Sequence, residues 1–229
     1  MWRTLSLLIL LTTTSTVLAQ PNIVFIFADD LGIGDVGAYG GELIDTPNID
    51  ALASKGMLFE QAYASHPVCS PSRAGLMSGR YQQRHGWEFN PAARIETSGM
   101  DAKQITLADM LNGSGYTTSM VGKWHLGYLP QFHPLNRGFD EYFGVLAGGS
   151  IFIDQSRHDV ESIGNWPLVR DRSKGVYDGR TLVEVEEYLT DVFTDRAVDF
   201  IKQKHTAPFF LYLSHTTPHT PLQATKKYT

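Results

Sequence analysis

The chain has 229 residues, 42% hydrophobic and 19% charged, a composition that fits a folded domain with its own core and excludes a disordered or fibrous chain. A formal net charge of −5 argues against a general polyanion-binding surface, so nucleic acid is not an expected partner. No internal repeat or low-complexity tract is visible.

The first residues are laid out as a secretory signal peptide. Arg3 supplies a short positive start, Leu5 to Leu11 form an apolar run, and Val17-Leu18-Ala19 ends in small residues. That run is too short to span a bilayer; a buried first helix is the competing reading. Residues 1–19 are thus expected to be removed and residues 20–229 exported, to a secreted, periplasmic or lysosomal location, with no membrane span. Exported proteins of this size commonly pair their cysteines, yet Cys69 is the only one. It is either incidental or chemical.

"NIVFIFADD" (Asn22 to Asp30) reads as a strand buried on both faces of a parallel sheet. "TPNIDALASKGMLFEQAYA" follows as a helix, with Pro47 after a Thr46 cap and Ile49, Leu52 and Ala53 at helical spacing. Ser72 to Arg80 predicts a second helix. A third ends at Gly113, before a strand from Tyr116 to Val121 and a loop. The stretch from Gly148 to Arg180, with Trp166 and Pro167, is irregular and polar and predicts a surface excursion. "EEYLTDVFTDRAVDFIKQK" is an amphipathic helix, and "APFFLYLSHTTPHTPL" a buried strand running into a His- and Pro-rich loop. Strands alternating with helices predict an α/β domain with helices on both faces of the sheet.

Asp29 and Asp30 fall at the carboxyl end of the first strand, the edge where open α/β sheets bind ligands. Adjacent carboxylates ask for a counter-charge, and a hard divalent cation is the usual answer; taken alone, an acidic pair more often marks a cap or turn. The glycine-rich "LGIGDVGAYGG" after it lets backbone approach a bound group, while Asp35 is a weaker third carboxylate that also suits a turn. Pro71 belongs in the first turn of a helix, which puts Cys69 at or just before the helix N-terminus. Unpaired N–H groups there favour an anion, and Arg73 on the first turn adds a forked cation. A buried small hydrophobe is the alternative for Cys69.

"CSPSR" followed by "AGLMSGR" resembles the cysteine signature of the type I sulfatases. "IVFIFADDLG", "TPNIDALASKGMLFEQAYA", "GYTTSMVGKWHLG", "NRGFDEYFG" and "PFFLYLSHTTPHTPL" extend the resemblance over nearly everything from Asn22 onward, arylsulfatases and the N-acetylgalactosamine-4-sulfatase type included. The resemblance implies an alkaline phosphatase-like fold, a mostly parallel sheet sandwiched by helices. It implies a sulfuric ester hydrolase in which Cys69 is oxidised to Cα-formylglycine by a formylglycine-generating maturation enzyme. Asp29, Asp30 and the oxygen at position 69 would hold a divalent cation, calcium or magnesium. Arg73 would steady the aldehyde hydrate, Lys123 would bind sulfate, and His125 would take the proton of the hydrate's second hydroxyl. The family's "H-x-P" pattern falls on His219 rather than His215, so His219 would bind sulfate and ease departure of the alcohol. His215 is expected to be a satisfied structural histidine or an outer-shell residue. His66, His85 and the Gly148–Arg180 stretch are expected around the substrate pocket, with a sulfated carbohydrate as the favoured substrate.

The family's later Asp-Asn pair and second lysine have no counterpart in these residues, so the sequence reads as the N-terminal part of the catalytic domain. Weak metal binding and poor activity are the corresponding expectations. A phosphatase or phosphonate hydrolase of the same superfamily and a non-catalytic sulfate-binding fragment are the rival readings. Asn112-Gly113-Ser114 is a glycosylation sequon if the host is eukaryotic.

Overall fold

The computed structural model describes residues 20–91, 97–163 and 175–229; residues 1–19, read above as a signal peptide, and Trp166 and Pro167 lie outside them. In chain order the main elements are β1 (Ile23–Asp29), α1 (Pro47–Lys55), α2 (Cys69–Ser78), α3 (Leu107–Gly113), β2 (Thr117–Lys123) and β3 (Glu141–Val145). They continue with β4 (Val160–Ile163), β5 (Val176–Asp178), β6 (Thr181–Val183), α4 (Leu189–Lys202), β7 (Phe209–Pro218) and β8 (Leu222–Thr225).

A six-stranded sheet runs in the order β1-β7-β2-β3-β5-β6. The pairings β1–β7, β7–β2 and β2–β3 are parallel, and β3–β5 and β5–β6 are antiparallel. β4 and β8 form a separate antiparallel pair. Because β7 inserts between β1 and β2, strands from the two ends of the chain bring their carboxyl ends to one edge, with Ser214 of β7 level with Phe27 and Gly122.

Helices cover both faces. α4 repeats Leu189, Phe193, Ala197 and Phe200 at helical spacing, and this stripe packs in one core with Val121, Phe143 and Leu211. On the other face Ala74 and Met77 of α2 and Ala108 of α3 meet Met120, Phe210, Tyr212 and Trp124. Thr106 starts α3 with a capping box, its hydroxyl accepting from Asp109 N–H while the Asp109 carboxylate accepts from the Thr106 N–H. The architecture is the expected α/β sandwich, with an antiparallel extension.

Three local expectations are corrected. β1 is not buried on both faces: Val24 and Ile26 are 43% and 61% exposed, because nothing among the described residues covers that side of the first strand. α1 stops at Lys55 and buries none of its residues; Thr46 Oγ1 and Asp50 Oδ1 accept from the N–H groups of Gly37 and Ala38, so polar bonds hold it in place. The Gly148–Arg180 stretch is not merely a surface excursion, since it contributes β4 and β5 and buries Ile151, Phe152, Ile153 and Val176 in the core.

Candidate active site

Asp29 closes β1 and Lys123 closes β2, one on each side of β7, and both are buried. Arg73, from the first turns of α2, reaches between them. Its guanidinium donates to Asp29 Oδ1 at 3.0 Å, Lys123 O at 3.0 Å and Ser214 Oγ at 2.5 Å, and lies 5.1 Å over the Phe27 ring. The Lys123 ammonium donates to Asp29 Oδ2 at 2.5 Å, and Ser214 Oγ donates on to Lys123 O at 2.9 Å. One buried carboxylate is therefore shared by two buried cations. Burial pushes the Asp29 carboxyl up, but Arg73 and Lys123 outweigh it and hold the group below its ordinary value. Burial and the Arg73 charge push the Lys123 ammonium down against the pull of Asp29.

In front of this pair sit Cys69, Asp30 and His219. Cys69 is the first residue of α2, after an extended Val68, so its side chain stands at the positive end of the helix as the sequence predicts. Asp30 turns out of β1 at φ 66°, which aims its exposed carboxylate back over the sheet edge. His219 follows β7, its Nε2 3.7 Å from Asp30 Oδ2 and its Nδ1–H donating to Thr220 O at 2.6 Å. Burial raises the Cys69 thiol, yet its hydrogen bond with His219 and the charge of Lys123 prevail and lower it. The same bond raises the His219 imidazole.

His125 lies behind them on the loop after β2, at φ 60° and almost wholly buried. Burial first, then the charges of Lys123, Arg73 and His219, drive its imidazole well below the ordinary value. A Cβ on Gly148 would stand 2.4 Å from that ring, so the close approach requires glycine. Ser70 Oγ donates to His125 O at 2.6 Å and accepts from Trp87 Nε1 at 2.8 Å, which ties the start of α2 to the histidine's loop.

A cavity of about 320 Å³ opens at this edge, lined among others by Asp29, Asp30, His66, Cys69 and Arg73. His85 does not line it; its ring pairs with Ser78 Oγ at the far end of α2. Asp35 takes the turn role, accepting from Gly32 N–H. His215 is part-buried in β7, and its Nδ1 makes no hydrogen bond to the described residues. Residue patterns did not single out Ser70, Trp87, Tyr212 or Ser214. The one available signal was a serine ending the otherwise apolar "FFLYLS".

Residues 21–229 match the family model described as Sulfatase. Among curated relatives, the N-acetylgalactosamine-6-sulfatase of Rattus norvegicus is 39% identical over 221 residues, covering 91% of this chain and 41% of that protein. Arylsulfatase G of Homo sapiens is 36% identical over 229 residues, covering 90% and 43%. The crystal structure of Ps i-CgsB in complex with k-i-k-neocarrahexaose superposes with TM-score 0.81 at 38% identity, over 90% of this chain and 47% of that one. BT4656 in complex with its substrate D-glucosamine-2-N,6-O-disulfate gives TM-score 0.69 at 28% identity, over 87% and 35%. The chain thus spans less than half the length of these relatives, and over that span it belongs to the sulfatase family.

Proposed function

We propose that the chain carries the nucleophile-bearing part of a sulfuric ester hydrolase acting on a sulfated carbohydrate, exported after loss of residues 1–19. One observation carries this reading: Cys69 stands at a helix N-terminus between Asp30 and His219, backed by Arg73 and Lys123, at the open carboxyl edge of the sheet. Relatives whose names or ligands involve sulfated sugars support the carbohydrate.

When present, the aldehyde hydrate at position 69 supplies a nucleophilic oxygen, and calcium, or magnesium in its place, supplies positive charge beside the sulfuryl oxygens. Asp29, Asp30 and the position-69 oxygen would hold the ion. They suit a hard cation in kind, although calcium takes roughly six to eight oxygens and Asp29 already accepts from two cations. Arg73 fixes Asp29 and keeps the floor of the site positive. Lys123 binds a sulfate oxygen once its ammonium turns from Asp29. His125, held neutral by burial, receives the proton of the second hydroxyl at position 69. His219 faces the departing alcohol with Nε2, since Nδ1 is committed to Thr220 O.

The test is mass spectrometry of the peptide containing residue 69 after co-expression with the maturation enzyme, followed by paired aryl sulfate and aryl phosphate assays. The aldehyde and a preference for sulfate are expected. Thiol alone, or faster phosphate cleavage, would sink the reading, the second in favour of the phosphatase alternative.

A further inference from the structure

Before any conversion, residue 69 offers sulfur rather than oxygen, and its neighbours make a different ligand set from the one above. The Cys69 Sγ, a carboxylate oxygen of Asp30 and a ring nitrogen of His219 all lie within 4.8 Å of one another. The geometry points to a zinc site in the unconverted chain: Zn2+ held by the Cys69 thiolate, His219 Nε2 and the Asp30 carboxylate, with a fourth position open to water. This inference concerns the thiol form and does not rest on the sulfatase reading.

Three features argue for it. The first is ligand kind, since thiolate, imidazole and carboxylate together are a borderline-soft set that suits zinc, whereas a thiolate is a poor partner for an oxygen-seeking cation. The second is spacing. Bond lengths of about 2.0–2.3 Å around a tetrahedral ion place ligand atoms roughly 3.3–3.8 Å apart. His219 Nε2 and Asp30 Oδ2 are already at 3.7 Å. The remaining contraction falls on the Asp30 side chain, an exposed carboxylate just past the end of β1. The third is the tautomer: Nδ1–H donates to Thr220 O at 2.6 Å, so Nε2 is the ring nitrogen on the Cys69 and Asp30 side, and the Thr220 carbonyl orients the ring as the outer shell of a zinc-bound histidine does.

Charge agrees with this assignment. Asp29 engages Arg73 and Lys123, so their charges are partly offset before an ion arrives. The one proton between Cys69 Sγ and His219 Nε2 leaves to solvent on binding, and the Asp30 and Cys69 anions then balance the ion. Replacing sulfur by oxygen at position 69 removes the softest ligand, so conversion would also change the class of metal that the site prefers. Bound zinc would occupy the sulfur and compete with any other chemistry there.

The test uses the full chain made in a reducing cytoplasm without the maturation enzyme, its thiol confirmed by intact mass. Titration with Co2+ as a spectroscopic probe, then displacement by Zn2+, reads the site. A thiolate-to-cobalt charge-transfer band with tetrahedral d–d bands, saturating at one metal per chain and abolished by zinc, is expected. Cys69→Ser should remove the charge-transfer band, and Asp30→Ala and His219→Ala should each weaken binding by at least about tenfold. Asp35→Ala, outside the cluster, should bind as the parent does. Absence of the band, or a band of unchanged affinity in both Asp30→Ala and His219→Ala, would overturn the assignment.

Discussion

Asp29 shows how a residue can be recognised and its surroundings still missed. Its place at the carboxyl end of the first strand was legible in "FADD", and so was its charge. That both its oxygens accept from cations was not, because the donors Arg73 and Lys123 lie 44 and 94 residues away along the chain. The same holds for His219, which the resemblance to the family's "H-x-P" pattern picked out over His215, but whose nearness to Cys69 and Asp30 needs the folded sheet. Single residues also set the acid response. His133 is buried against the edge of Tyr142, and burial, then the Arg180 charge, pushes its imidazole down to about 4. In the unfolded chain it titrates near the ordinary value of about 6.5. Between these values the unfolded state binds more protons, so stability must fall as pH drops from about 6.5 to about 4, by up to about 3 kcal/mol from this group. His125, also driven down, adds loss of the same sign. Urea unfolding of the parent and His133→Gln at stepped pH checks this. The variant should lose less stability over that window, and equal slopes would remove His133 from the account.

At the scale of elements, the parallel strands and the helices with periodic apolar faces were readable: β2, β7, α3 and α4 lie where periodicity and caps put them. β1 misled because a continuous apolar run reports what a strand could bury, not what covers it. The stretch after Gly148 misled because polar composition masked Ile151 to Ile153, an apolar triplet too short to register as an element. The join between α2 and the loop after β2 was not legible at all, since it depends on one hydroxyl. Ser70 Oγ lies between the His125 carbonyl and the Trp87 indole, wholly buried. Ser70→Ala would leave that donor and that acceptor without their partner, at a cost of about 1–3 kcal/mol. Urea unfolding should show the loss, together with a change in Trp87 fluorescence in the folded state. An unchanged midpoint would mean that the two elements are held by packing alone.

For the whole molecule, the balance of surfaces sets behaviour more than any one site. The main sheet begins at β1, whose outer edge pairs with no strand among the described residues, and its face presents Val24 and Ile26 to solvent. Nearby in sequence, α1 and the segment after it expose Ile49, Leu52, Met57 and Phe59. An unpaired strand edge with apolar side chains templates association with further strands, and apolar surface at this density binds other apolar surface. A net charge of −5 spread over the whole chain offers only weak repulsion against that. The chain should therefore bind a hydrophobic dye while folded, and its light scattering should rise with concentration. Combining Ile26→Lys with Leu52→Lys places like charges on both exposed regions at positions that contribute little burial, so stability should change little while dye binding and scattering fall. A parent chain that stays monodisperse and dark to the dye at high concentration would show that these side chains pack against one another in solution rather than face water.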